Sequence, residues 1–285
     1  MTIAFLRPIA WLPLPLLHLL GSALGWAAYL VPGRYGRRMR DNLRQSCLAL
    51  DDTEYHRLLR RTIGEAGRAA LETLAIWLRP TSSILRLVRA TRGWECVEAA
   101  RSRGKGIVFI SPHLGAFELA NLYLNARVPL TFLYSPPRAR WLEPLMMAGR
   151  ERDGATGASA SIGGVKRLLR TLRANGAVGI LPDQVPGKGE GVWVDFFGRP
   201  AYTMTLIARL LASTDASAIM VCVQRLPRGR GYEVDLYPFD PGALDDPTAV
   251  TARLNRAVED LIRTCPSQYL WSYNRYKVPA GANPP

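Results

Sequence analysis

Three kinds of hydrophobic pattern follow one another along the chain. Residues 8–32 are an apolar stretch without a single Asp, Glu, Lys or Arg. Residues 53–78 carry Leu58, Leu59, Ile63, Leu71, Leu74, Ala75 and Leu78 at helical spacing, with Arg57, Arg60, Arg61 and Arg68 among them. That spacing predicts a long amphipathic helix, and residues 82–90 read as a second, short one. From about residue 94 the period changes. Short apolar runs at 106–111, 128–134 and 177–182 read as buried strands, and 217–226 and 232–238 as two strands joined by a turn at 227–231. Helical periodicity fills 114–126, 139–151, 162–174, 203–213 and 247–264, the third of these closed by Asn175 and Gly176. Alternation of this kind predicts an α/β core, a mixed central sheet flanked by helices. The expected organisation is an N-terminal hydrophobic membrane anchor over 1–32, a basic amphipathic helical region over 33–92 and the α/β core over 93–285.

The first stretch is long enough for a bilayer, which takes roughly 20 apolar residues. Pro13, Pro15 and His18 argue against one straight span. The apolar part of a signal peptide is shorter, about 7–15 residues, and ends in a small-residue cleavage site that is missing here. Arg34, Arg37, Arg38, Arg40 and Arg44 follow directly. Such a cluster resists translocation and favours anionic headgroups. The segment is therefore expected to be a retained anchor, spanning or lying in the interface, with the rest of the chain on the cytoplasmic side. A buried core helix is the alternative.

Charge changes the picture next. The net charge is +14, nearly all from arginine, since lysine occurs only at positions 105, 166, 188 and 277. Arginine suits phosphate and carboxylate partners. Anionic lipid, an acidic protein and nucleic acid all fit the charge alone. The four cysteines are far apart and form no C-x-x-C pair, which argues against a zinc site and against a disulfide framework.

Chemistry concentrates in Ser111-Pro112-His113-Leu114-Gly115-Ala116-Phe117-Glu118, directly after a buried strand. On a straight helix, residues five apart are rotated by roughly 140°. His113 and Glu118 can meet only if the histidine lies on a strand-to-helix turn, which Pro112 and Gly115 supply. A neutral imidazole there could take a proton from an attacking hydroxyl, with a carboxylate on its other nitrogen fixing the tautomer. Backbone N–H groups at the helix start could hold an oxyanion. The other histidines, His18 and His56, lie in the apolar stretch and in a basic helix. No H-E-x-x-H is present, so a metalloprotease is excluded. The glycines at 187, 189 and 191 are not followed by G-K-S/T, which argues against a P-loop.

The motif at 111–120 resembles that of the lipid A biosynthesis acyltransferase family, within the wider lysophospholipid acyltransferase superfamily. The resemblance continues through Gly149-Arg150-Glu151-Arg152, Pro182-Asp183-Gln184, residues 191–203 and residues 266–277, and so spans most of the chain. It implies a glycerolphosphate acyltransferase-like fold and an O-acyltransferase at the cytoplasmic face of the bacterial inner membrane. His113 and Glu118 match the family's H-x4-D/E catalytic pair, and Arg150 matches a functional arginine that could bind phosphate or steady the oxyanion. Gly115, Arg152, Asp183, Gln184 and Lys188 are the candidate substrate-binding positions. Pro112 and Ala116 depart from the family pattern, where a small polar residue or Asn and a polar residue are frequent.

The implied reaction moves an acyl chain from an acyl-carrier-protein thioester to a hydroxyl of a lipid A precursor, with no metal and no cofactor. A lysophospholipid or another hydroxylated amphiphile is the alternative acceptor. A non-catalytic membrane-surface or nucleic-acid-binding protein would explain the charge but not the His–Glu turn. No nucleic-acid partner is expected.

Overall fold

Pro13 breaks the N-terminal apolar stretch in two. The computed structural model describes residues 6–49, 51–137 and 139–284, and it begins with α1 (Leu6–Ala10) and α2 (Leu14–Leu30) on either side of that proline. Among the described residues no single helix is long and apolar enough to cross a membrane. The arginine cluster forms α3 (Arg34–Gln45), which leaves α2 at an angle of 99°. The expected amphipathic helix is α4 (Asp52–Leu78); Asp51 caps it by accepting the Glu54 N–H at 2.8 Å. An acceptor at that position satisfies an N–H that the first turn would leave unpaired.

α2 keeps Leu14 and Leu17 inside but turns most of its leucines outward and places polar side chains among its inner residues. His18 is buried and Ser22 lies against Gly64 of α4, whereas Leu16, Leu19, Leu20, Leu24 and Leu30 are exposed. The two helix backbones come so close that a Cβ on Gly67 would collide with the Gly21 carbonyl, and one on Gly25 with the Ile63 carbonyl. Small residues permit this approach as they do between helices in lipid.

The expectation of a helix over 82–90 is overturned. A single turn, α5 (Thr81–Leu85), is followed by strand β1 (Val88–Arg92), which pairs in parallel with β9 (Tyr232–Pro238) at the edge of the sheet. Edge placement leaves β1 partly exposed and lets it carry Arg89 and Arg92, so its sequence lacks the unbroken apolar run of a central strand. In between lie α6 (Glu95–Arg103), β2 (Ile107–Ile110), α7 (Phe117–Asn125), β3 (Leu130–Tyr134), α8 (Glu143–Arg150), β4 (Thr156–Ser159), α9 (Ile162–Arg173), β5 (Ala177–Ile180), β6 (Gly191–Phe196), β7 (Arg199–Met204), α10 (Leu206–Thr214) and β8 (Ser217–Arg225). β9 precedes α11 (Pro247–Thr264).

The seven-stranded sheet has the order β1-β9-β8-β2-β5-β3-β4. Every pair is parallel except β8–β9, so the sheet is mixed as expected. Alternate residues of β2 feed two hydrophobic layers. Val108 and Ile110 pack with Leu168, Leu172, Ile207, Leu211, Leu254 and Val258 from α9, α10 and α11. Ile107 and Phe109 pack with Val97, Ala100, Leu119 and Tyr123 from α6 and α7. β2 and β5 are buried along their whole length, as the centre of a parallel sheet requires.

β4 and the hairpin β6–β7 did not stand out in the hydrophobic pattern. Gly157 in the short β4 breaks any apolar run. The hairpin turns on Phe197 and Gly198, whose φ values are +49° and +68°. Two consecutive positive φ values suit a two-residue hairpin turn, yet Phe occupies the position where Asn is the usual signal. The predicted helix start at 114 moves to Phe117, because Leu114 and Gly115 form isolated bridges to Tyr269 and Val223 instead of a first helical turn.

Candidate active site

Two adjacent strands set the site. β2 and β5 pair in parallel with Ile110 opposite Ile180, and the Ser111 N–H extends the ladder to the Ile180 carbonyl at 3.1 Å. Three residues beyond each strand end stand His113 and Asp183. Equal offsets from paired residues put the two side chains at the same height above the carboxyl edge of the sheet, where sites of open α/β sheets form. Asp183 then holds His113 twice. Its Oδ1 lies 2.8 Å from ring Nδ1 and its Oδ2 accepts the His113 main-chain N–H at 3.0 Å. The Gln184 side-chain amide nitrogen stands 3.1 Å from ring Nε2. With Nδ1–H donating to the carboxylate, Nε2 carries the lone pair and the amide donates to it.

This corrects the expectation that Glu118 is the carboxylate on the imidazole. Glu118 lies in the first turn of α7 and accepts the Arg150 Nε–H at 2.9 Å and the Trp77 indole N–H at 2.9 Å, with a further bond from Arg150 Nη2. Five residues of separation leave it facing the end of α8, and the site is completed across the sheet by Asp183. The Phe117 ring packs against His113 at a tilt of 56°, with ring centroids 4.8 Å apart. The imidazole side chain remains 11% exposed, while the Asp183 carboxylate behind it is 3% exposed. The base can therefore be reached from outside and its partner cannot.

The electrostatics match. Burial pushes the Asp183 carboxyl up, but the His113 charge and the two hydrogen bonds from His113 outweigh it and hold the carboxyl below its ordinary value. Burial likewise raises Glu118, and the Arg150 charge and hydrogen bonds together with the Trp77 bond bring it below the usual carboxylate range. Burial alone would lower Arg150, and the Glu118 charge raises it. Both acids are thus anions, and the region presents one buried ion pair beside one His–Asp pair.

The other expected site residues divide. Gln184 joins the constellation. Gly115 is held at φ +60°, with its N–H donating to the Gln268 carbonyl at 3.1 Å and its Cα so close to the Val223 carbonyl that any Cβ would collide. Arg152 is engaged elsewhere: Nη1 and Nη2 donate to the carbonyls of Arg79 and Ile76 at the end of α4, and Nε donates to the Gly149 carbonyl at 2.9 Å. It closes a helix C-terminus. Lys188 is exposed, beside Gly281. Trp77, near the end of α4, is a functional contact that its sequence context does not signal: nothing local indicates that its N–H reaches Glu118. Tyr269, buried in the C-terminal segment among Phe196 and Trp271, lies close to the site; burial and then the Asp183 charge raise its hydroxyl well above the ordinary value.

The family described as bacterial lipid A biosynthesis acyltransferase matches residues 1–278. The chain is 24% identical over 271 residues to the lipid A biosynthesis lauroyltransferase of Escherichia coli K12, covering 94% of this chain and 88% of that protein. It is 27% identical over 284 residues to a lipid A biosynthesis acyltransferase of Haemophilus influenzae, covering 96% and 88%. It is 25% identical over 269 residues to the lipid A biosynthesis palmitoleoyltransferase of Escherichia coli K12, covering 93% and 86%. A match that runs from the N-terminal helices through the His113 loop to the C-terminal aromatic segment leaves one conclusion: the chain belongs to the bacterial lipid A biosynthesis acyltransferase family.

Proposed function

We propose that this protein transfers a fatty acyl chain from an acyl-carrier-protein thioester to a hydroxyl of a lipid A precursor, with His113 as general base. The observation that carries the reading is the His113 Nδ1–Asp183 contact of 2.8 Å, which leaves Nε2 at the outer side of a buried pair. The acceptor hydroxyl takes the place of the Gln184 amide at Nε2 and gives up its proton there as its oxygen attacks the thioester carbonyl. Asp183 steadies the imidazolium that forms. The tetrahedral intermediate collapses, the C–S bond breaks, and the imidazolium returns its proton to the departing sulfur. In this mechanism the positive end of α7, with Arg150 held by Glu118, supplies the potential that steadies the developing negative charge. In this reading Glu118 serves by orienting Arg150 and by adding negative potential near His113. Gly115 shapes the turn, and Lys188 on its exposed loop meets acidic groups of a substrate or carrier.

The setting fits the substrates. The outward arc of α2 is a row of exposed leucines followed by the arginines of α3. An apolar face rimmed by arginine suits the cytoplasmic face of an anionic membrane, and the same basic surface suits an acidic carrier protein. The inner membrane is therefore the proposed location. The test is an assay of purified protein with acyl-carrier-protein thioester and a lipid A precursor bearing free hydroxyacyl chains, read by mass spectrometry. One added acyl group, lost in His113→Ala, supports the reading. No transfer to the precursor, with acylation of a lysophospholipid in a parallel reaction, overturns the choice of acceptor.

A further inference from the structure

The His113 loop is tied to the N-terminal helix through a buried chain of charges that the reaction itself does not use. Arg225, at the end of β8, is 4% exposed and donates in three directions. Its Nε donates to Glu72 at 2.7 Å and its Nη1 to Glu65 at 2.8 Å, both on α4. Its Nη2 donates to the Gly115 carbonyl at 2.6 Å, two residues from His113. Glu72, 1% exposed, also accepts the Tyr232 hydroxyl at 3.2 Å and meets His18 Nε2 of α2 at 3.2 Å. Gln268 locks the same corner. Its side chain accepts the Arg225 N–H at 2.9 Å and donates to the Arg225 carbonyl at 3.0 Å, while its own carbonyl accepts the Gly115 N–H at 3.1 Å.

Such a cluster is poorly explained as a source of stability, because an apolar set of the same volume is often as stable or more so. What an apolar set could not do is aim a carbonyl. The peptide after Gly115 has its oxygen fixed by Arg225, and Gly115 itself is held at a positive φ that few residues tolerate. The orientation of this peptide determines how the loop leaves His113 and enters α7. His18 is a polar residue in a helix whose outer arc is apolar, and it faces inward onto this cluster.

We propose that Arg225, Glu72 and His18 are positioning residues, which set the backbone of the His113 loop and make turnover depend on the docking of α2 against α4. The inference rests on the proposed role of His113 and adds residues that never touch substrate. The test compares His18→Leu, His18→Gln and Arg225→Lys in the full-length protein. Leucine removes the contact to Glu72, and glutamine keeps a donor at that point. Lysine keeps the charge but cannot fork to both Glu72 and the Gly115 carbonyl.

His18→Leu and Arg225→Lys are expected to lower kcat by about tenfold or more with KM nearly unchanged, since small misplacements of a catalytic group cost rate. His18→Gln is expected to recover most of it. A second readout needs no substrate: the rate at which diethyl pyrocarbonate modifies His113, followed by peptide mass spectrometry, is expected to rise in His18→Leu. Parental kcat and parental modification rate in both disruptive variants would overturn the proposal. So would a His18→Gln variant no better than His18→Leu. If the parent protein transfers no acyl group to any acceptor, the reading of the reaction fails, and the modification rate still decides the positioning role.

Discussion

Asp183 grips His113 at both ends, accepting the main-chain N–H at 3.0 Å and meeting ring Nδ1 at 2.8 Å. One carboxylate therefore fixes the place of the residue and the rotation of its ring together. Asp183→Asn keeps the size and loses this control. An amide can present its N–H to Nδ1, which stabilises the other tautomer and puts the proton on the nitrogen that should receive one. Steady-state assays are expected to show kcat lower by about a thousandfold or more with little change in KM, by analogy with the cost of the wrong tautomer in Ser-His-Asp enzymes. A thermal midpoint close to the parent would place the loss in chemistry. Activity within a few-fold of the parent would remove Asp183 from the mechanism.

Gln184 makes a separate prediction. Its amide nitrogen lies 3.1 Å from Nε2, the point at which the acceptor hydroxyl enters in the proposed reaction. Gln184→Leu preserves bulk and removes the polar group that steers the ring and hands over its position to the substrate. A fall of about tenfold in kcat/KM is expected, the order of one lost neutral hydrogen bond at a reacting group. A variant indistinguishable from the parent at all substrate concentrations would show that the amide is incidental.

Acid should unfold the protein through the same carboxylates. Asp183 and Glu118 have folded-state values below their ordinary 3.8 and 4.5, so each binds its proton less readily when folded than when unfolded. The sign follows from linkage: their contribution is complete above the unfolded values and is lost as pH falls through the lower folded ones. Denaturant midpoints are expected to be level with respect to these two groups from neutrality to about pH 5 and to drop below about pH 4.5. Glu118→Gln should flatten part of that drop and lower stability at pH 7 by about 3–5 kcal/mol, because it leaves Arg150 buried without its counter-charge. Stability independent of pH down to 3 would contradict the assignment.

How much of this was legible in the sequence depends on whether the decisive neighbour is near in the chain. The strands β2, β3, β5, β8 and β9 follow from apolar runs, and His113 stands out because only three histidines occur. The bend after β2 was also readable, from Pro112 and Gly115. The partner of that histidine was not, because short spacing pointed to Glu118 while strand pairing delivered Asp183, 70 residues away. Asp183 could have been weighted more heavily as the residue three positions past a buried strand, had the adjacency of β2 and β5 been known. Arg150 reads as a functional arginine, and only the packing of Gly149 on Trp77 shows how it is brought to Glu118. Arg152, two positions on, looks the same in sequence and binds carbonyls at the end of α4. β1 and β4 were lost for a simpler reason. Edge strands are half-exposed and short, so they lack the signal that burial imposes.

The last prediction concerns the seam between α2 and α4. Gly67 has Gly21 and Gly25 directly opposite, and a Cβ there would collide with the Gly21 carbonyl and crowd the Gly25 nitrogen at 2.5 Å. Both obstacles are backbone, so no side chain can swing aside, and relief requires the helices to part. Gly67→Ala would gain about 1 kcal/mol in helix propensity on an isolated helix. Here that gain is set against overpacking of about 1–3 kcal/mol or more, and the seam is expected to open. Opening it draws His18 away from Glu72, some five residues along the same interface. The expected results are a lower thermal midpoint, faster proteolysis between α2 and α4, and a loss of turnover like that of His18→Leu. Gly33→Ala serves as the control, since its Cβ would touch nothing closer than the Val31 carbonyl at 4.0 Å. A Gly67→Ala protein as stable and as active as the Gly33→Ala control would mean that the close approach of the two helices is not needed.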